Sequence, residues 1–144
     1  MPNPVTYLTK RVEFSSAHFY HRPEWSEAEN RRVFGACANR EGHGHNYLLD
    51  VTVAGPVDPR TGMVVNLNEI KRIIGEVVEG FDHRHLNLDT PHFRDRVPTT
   101  ENLARVLWDL IDPRIPVGRL SRIRLYEEED LFVDYFGGGE DATP

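Results

Sequence analysis

His43 and His45 bracket a single glycine, and the chain's one cysteine, Cys37, lies six residues upstream of the first of them. Along an extended backbone the side chains alternate, so imidazoles at i and i+2 project from one face. Two rings so placed can converge on one metal ion. A thiol beside a cation is favoured as thiolate and becomes reactive, although a free cysteine is more often a small buried hydrophobe. The run Cys37-Ala38-Asn39-Arg40-Glu41-Gly42-His43-Gly44-His45-Asn46-Tyr47 therefore specifies a metal and a candidate base or nucleophile together. That pairing points to an enzyme.

A third ligand is needed, and His18 is the best candidate. It follows Phe14-Ser15-Ser16-Ala17 at the end of a predicted strand that could pair with the one carrying His43 and His45. Three imidazoles leave one position of a tetrahedral zinc open, the arrangement of catalytic rather than structural sites. A lone histidine is also often a hydrogen-bonded structural residue, so His18 has a plainer reading. His21, His85 and His92 lack comparable spacing. HExxH and paired CxxC signatures are absent, which excludes an ordinary metalloprotease or base deaminase. Asp82-His83 reads either as a turn or as a carboxylate–imidazole pair able to act as general acid and base.

The elements that must position these groups make an α+β chain. Residues 5–19 alternate roughly as a long strand, and 46–55 are rich in β-branched and aromatic residues. Between them, the polar stretch 20–42 reads as a long, irregular excursion, of a length that is often functional. Turn chemistry at 56–62 predicts a hairpin whose third strand is 63–66. Leu67, Ile70, Ile73, Ile74, Val77 and Val78 mark an amphipathic helix capped by Asn66 or Asn68 and ended at Gly80. A second helix starts at Thr99 or Thr100 and runs to Ile111 before Pro113. Residues 122–126 and 131–136 form a last hairpin around the acidic turn 127–130, followed by a frayed tail, 137–144.

Composition sets outer bounds. At 144 residues, with no repeat or low-complexity linker, the sequence is expected to be a single domain, 1–144. A net charge of −6 without a basic face argues against a nucleic-acid partner. No apolar run approaches the ~20 residues that span a bilayer, and the N-terminus lacks the apolar core of a signal peptide. One cysteine suits a reducing compartment. A cytoplasmic chain with no membrane partner is expected.

Six blocks, in order, resemble the 6-pyruvoyl-tetrahydropterin synthase family over Val12 to Phe136. They are Phe14-Ser15-Ser16-Ala17-His18, then Val33-Phe34-Gly35-Ala36-Cys37 with Gly42-His43-Gly44-His45-Asn46-Tyr47, and Asp58 through Leu67. Phe81-Asp82-His83-Arg84-His85-Leu86-Asn87, Thr99-Thr100-Glu101-Asn102 and Tyr126-Glu127 complete the set. The resemblance implies a T-fold (tunnelling fold): a four-stranded antiparallel sheet with two helices on one face. Three such sheets close into a barrel, and two trimers stack into a homohexamer, which removes exposed sheet edges. It places active sites near subunit interfaces, so their residues need not come from one chain.

The resemblance also implies a zinc-dependent lyase of tetrahydrobiopterin-type pterin biosynthesis. Its substrate is 7,8-dihydroneopterin triphosphate, its product 6-pyruvoyl-tetrahydropterin, with triphosphate eliminated and no external redox cofactor. By resemblance, Zn2+ sits on His18, His43 and His45. Cys37 is the proton-transfer base, and Asp82 and His83 are its relay. Glu127 anchors the pterin, with Thr99, Thr100 and Glu101 as further pocket residues, although helix capping explains the threonines equally well. The cations for the triphosphate are not identified. One alternative is the 6-carboxy-tetrahydropterin synthase branch of queuosine biosynthesis. That branch usually has three residues between cysteine and HGH and tends to carry Asp where Asn66 stands. Here five residues separate Cys37 from His43. A folate-pathway branch replaces the cysteine with glutamate. A zinc- or pterin-binding module without turnover would predict loss of Cys37, Asp82 or His83, and all three are present.

Overall fold

A computed structural model describes residues 4–138. Its organising feature is a long antiparallel ladder. β1 (Thr6–His18) and β2 (His43–Gly55) pair without a register break, from Thr6 opposite Gly55 to His18 opposite His43. β4 (Arg119–Glu128) lies on the other side of β2 and β5 (Leu131–Tyr135) lies beyond it, both antiparallel. A two-residue strand, β3 (Arg84–His85), runs parallel to β1 at the opposite edge, giving the order β3-β1-β2-β4-β5. The sheet is thus five-stranded rather than four-stranded, because the loop after Phe81 returns along β1. Its four long strands form the antiparallel set that was expected.

Alternation sorts the sheet into two faces. Phe14, Tyr47, Leu49, Val51, Val53, Ile123 and Leu125 are buried beneath α2 (Leu67–Glu79) and α4 (Thr100–Ile111). Both helices follow from the apolar spacing. Ile70, Ile73, Ile74, Val77 and Val78 face inward from α2, and Leu103, Ala104, Val106, Leu107, Trp108 and Ile111 from α4. The Asn66 side chain accepts from the Asn68 amide at 2.9 Å, and Thr99 from the Asn102 amide at 3.1 Å, so each helix begins on a side-chain cap.

Three local expectations are corrected. Residues 63–66 form no strand. Asp58 N–H donates to Met63 O at 2.9 Å and closes the turn, but both edges of β2 are already taken by β1 and β4. Val64 and Val65 instead turn into the core ahead of α2. The excursion 20–42 is not irregular throughout: it contains α1 (Glu27–Phe34) and a 3-10 turn, Gly35–Ala38. With the one-turn α3 (Leu86–Asp89), α1 brings the helix count among the described residues to four rather than two. Finally, Glu127 and Glu128 belong to β4, and the turn is reduced to residues 129–130. Of the tail, Gly137 is described at a positive φ of 73°. A Cβ there would come within 2.1 Å of the Trp108 ring, so only glycine fits. Residues 139–144 lie outside the described residues.

Candidate metal centre and active site

The β1–β2 register assembles the imidazoles. Residues directly opposite on antiparallel strands share a face, and His18 opposes His43 while Ser16 opposes His45. His18, His43 and His45 consequently bring one ring nitrogen each to within 4.8 Å of one another, a grouping able to hold a metal ion. His18 Nε2 and His43 Nε2 are 3.2 Å apart. His45 Nε2 is shielded from solvent and has no hydrogen-bond partner, which is how a nitrogen awaiting a metal is left. His18 is fully buried, and burial first, then the neighbouring His43 and His45, pushes its pKa down to about 3. It is therefore neutral, the ligating form of imidazole. Three imidazole nitrogens are a donor set that fits a borderline cation such as zinc.

Outer contacts orient this cluster. The Tyr47 hydroxyl, fully buried, lies 3.1 Å from His18 Nδ1. If Nε2 ligates a cation, Nδ1 carries the proton and donates to Tyr47, fixing tautomer and ring angle. Gly42 stands at a φ of 77°, where a Cβ would press within 3.1 Å of both His18 O and His85 Nε2. Glycine thus lets the chain turn tightly into His43. Asn87 clamps the end of β1: its Oδ1 accepts from Phe19 N–H at 3.0 Å and its Nδ2 donates to Phe19 O at 2.9 Å.

Glu127 faces the same cluster. The β4–β5 pairing shifts register between Tyr126 and Glu128, and such bulges re-aim side chains beside functional sites. Its Oε1 lies 3.4 Å from His45 Nε2. Its Oε2 accepts from Thr100 Oγ1 at 2.5 Å and from the Tyr20 hydroxyl at 3.4 Å. Two hydroxyls on one oxygen leave the other free to face a ligand. Of the neighbouring pair, Thr99 is the α4 cap, whereas Thr100 is buried against Glu127. Glu101 is exposed at the first turn of α4.

Cys37 lies in the 3-10 turn, half-buried, and its carbonyl accepts from Tyr20 N–H at 2.7 Å. Desolvation, then the Glu127 and Glu128 carboxylates, raises its thiol pKa. A nearby divalent cation would act in the opposite direction.

Asp82 and His83 are elsewhere, at the β1 edge of the sheet. Asp82 Oδ1 accepts from Ser15 N–H at 2.9 Å and lies 3.0 Å from His83 Nδ1. Those bonds, the Ser15 amide foremost, hold the Asp82 carboxyl below its usual range. The His83 side chain is 84% exposed, and its φ of 60° is the only positive value at a non-glycine residue among those described. A left-handed histidine costs about 1 kcal/mol or more. The backbone bond from His83 N–H to Ser15 O, 2.6 Å, helps to hold it there.

Tyr20 and the role of Tyr47 escaped the sequence reading. Tyr47 was legible, since the period that pairs His43 with His45 places residue 47 on the same face. Tyr20 follows the end of β1, where alternation stops, and carries no such signal. The other histidines have structural surroundings: His21 Nε2 accepts from Arg40 at 2.9 Å, His85 packs on Phe19, and His92 stacks on Phe81.

A family model described as 6-pyruvoyl tetrahydropterin synthase matches residues 7–138. The chain belongs to that family. It is 43% identical over 131 residues to the 6-pyruvoyl tetrahydrobiopterin synthase of Pongo abelii, covering 90% of each chain. The structure of Caenorhabditis elegans 6-pyruvoyl tetrahydropterin synthase superposes with a TM-score of 0.92 at 33% identity, over 96% of this chain and 99% of that one. A putative 6-carboxy-5,6,7,8-tetrahydropterin synthase of Archaeoglobus fulgidus is 36% identical over 93 residues, 64% of this chain and 73% of its own length.

Proposed function

We propose that this protein is a zinc-dependent 6-pyruvoyl-tetrahydropterin synthase, a carbon–oxygen lyase. It converts 7,8-dihydroneopterin triphosphate to 6-pyruvoyl-tetrahydropterin and releases triphosphate. The observation that carries the reading is the convergence of three imidazole nitrogens within 4.8 Å, with the Glu127 carboxylate 3.4 Å from one of them, in a chain of this family.

Each residue type has a task in that reaction. His18, His43 and His45 would hold zinc, which supplies Lewis acidity toward the side-chain oxygens of a bound substrate and so acidifies the neighbouring protons. Glu127, with Oε2 occupied by Thr100 and Tyr20, offers its remaining acceptor capacity to the amino and ring N–H groups of a pterin, a planar two-point recognition. Thr100 acts on the pterin through Glu127, while Thr99 and Glu101 shape the start of α4 beside it. Cys37, as thiolate, removes and returns protons on one face of the substrate. Asp82 holds His83 in one tautomer and steadies its protonated form, so that the pair exchanges protons with a thiol.

The exposed His83 and the open edges at β3 and β5 support a homohexamer in which that pair serves the Cys37 of a neighbouring copy. Closing three sheets into a barrel would cover those edges. No helix among the described residues is long and apolar enough to cross a membrane, in keeping with a small-molecule enzyme of the cytoplasm.

The five residues between Cys37 and His43, and Asn66 at the head of α2, favour the pyruvoyl product over a 6-carboxy product. The test is incubation of zinc-loaded protein with dihydroneopterin triphosphate and mass spectrometry of the products. A 6-pyruvoyl product is expected. Acetaldehyde with a carboxy-pterin would move the chain to the queuosine-type reaction, and no turnover with zinc bound would leave only a binding module.

A further inference from the structure

Beyond the end of β1 lies a cleft of about 350 Å³, within the size range of small-ligand sites. Four arginines line it, Arg22, Arg40, Arg94 and Arg96, against two carboxylates, Glu24 and Asp95. In a chain of net charge −6, this concentration of guanidinium groups runs against the overall balance. Two of the four are matched within the chain: Arg22 pairs with Glu24 at 2.5 Å and Arg40 with Glu27 at 3.2 Å. Arg94 and Arg96 make no ion pair among the described residues.

The hydrogen-bond inventory has the same gap. Arg22 Nε and His21 Nδ1 are both shielded from solvent and unpartnered. Arg40 donates to His21 Nε2 at 2.9 Å, so Nδ1 carries that ring's proton. Both orphans are therefore donors, and shielded donors without acceptors are uncommon in native proteins. The wall is also held in place by neutral groups. Asn30, 1% exposed, accepts from Arg22 N–H at 2.7 Å and donates to Arg22 O at 3.1 Å. Asn87 grips Phe19 through both backbone groups, and the Arg40 guanidinium lies 5.8 Å from the Phe19 ring centroid.

The cleft borders the candidate active site. Phe19 directly follows His18, and Val97 is followed by Pro98, whose backbone lies beside the His18 ring. A row of forked, permanently charged donors is chemistry for phosphate oxyanions. A monocarboxylate would satisfy one fork, while a chain of linked phosphates could satisfy several.

We infer that this cleft is a polyphosphate-binding site, with Arg94 and Arg96 as its uncommitted cations. Two sources carry that chemistry: the triphosphate ester of the substrate, a source that rests on the function proposed above, and free inorganic triphosphate.

The experiment titrates inorganic triphosphate into intact, zinc-loaded protein by calorimetry, comparing wild type with the double variants R94A/R96A and R94K/R96K. Neither residue belongs to the catalytic machinery described above. Binding that weakens at least about tenfold in R94A/R96A, is partly restored in R94K/R96K, and fades with rising salt is the expected result. Equal affinity in wild type and R94A/R96A with an unchanged melting temperature, or no binding to wild type, overturns the site. Steady-state kinetics then separates the sources. A raised KM for dihydroneopterin triphosphate with kcat retained assigns the substrate's tail to the cleft. An unchanged KM, beside lost triphosphate affinity, assigns free polyphosphate. A wild type that binds triphosphate but turns nothing over overturns the proposed function and leaves the site standing.

Discussion

Two clusters of titratable groups lean on β1 and are held in opposite ways. On the helix-covered side, His18 is fully buried and kept neutral, with Tyr47 behind it and His45, which faces Glu127, beside it. At the strand's outer edge, His83 is 84% exposed and its Asp82 partner is fixed by the Ser15 amide. The first cluster is assembled within one chain: its three ring nitrogens lie within 4.8 Å of one another. The second is oriented with equal care, down to a left-handed backbone at His83, yet presents its imidazole to solvent. Preorganisation without a local partner is what a group needs when its target lies on another molecule.

The largest expected effect comes from breaking the buried cluster. His43→Ala should lower bound zinc from about one per chain to background and reduce turnover by more than about a thousandfold, checked by metal analysis beside the mass-spectrometric assay. Cys37→Ala and His83→Ala should each cost about 10²- to 10⁴-fold in kcat with zinc content intact; loss of zinc in Cys37→Ala would make that residue a ligand instead. The comparison sharpens when those two inactive chains are mixed and reassembled. If His83 serves a neighbour's thiol, about a quarter of the sites in an equal mixture regain both groups. A mixture that stays dead places both groups in one chain's site.

Tyr47→Phe should be milder, weakening zinc affinity about 10- to 100-fold in chelator competition, because the ligands remain while His18 loses its orienting partner. The last expected effect leaves turnover aside and falls on the stability of the metal-free protein as pH changes. His18 is held at about 3 in the folded state, by burial and then by His43 and His45, below the ~6.5 of an unfolded chain. The unfolded state therefore takes up the proton first, so stability is full above about pH 6.5 and is lost as pH falls toward 3. Urea midpoints should fall across that window, with a shallower fall in His18→Gln.

What could be read in the sequence follows from how local each cause is. The i, i+2 spacing of His43 and His45 was readable because alternation is local to a strand, and the helices at 67–79 and 100–111 because their apolar stripes are. The strand wrongly assigned to 63–66 failed for a non-local reason, namely that β2 has no vacant edge. α1 buries only Asn30, so it lacks the stripe that periodicity detects. Its Ser26-x-x-Glu29 start, where Ser26 accepts from the Glu29 amide at 3.1 Å, was the available signal. In the site, His18 could be nominated from the expected pairing of two strands. The bulge that aims Glu127, the tyrosine behind its carboxylate, and the separation of Asp82-His83 from Cys37 depend on pairing and loop paths that no local pattern encodes.

The unbroken register of β1 on β2 also bears on the order of events in folding. His18 and His43 are separated by 25 positions of chain and meet only when the far ends of two thirteen-residue strands are aligned. A slip of one residue would send one strand's imidazoles to the other face, leaving at most part of a coordination sphere. With the proposed zinc, metal uptake would then come late, as a proofreading step rather than a nucleus: a cation would be retained only by chains whose longest ladder has closed in register, and its dissociation rate would report on how firmly that ladder stays shut.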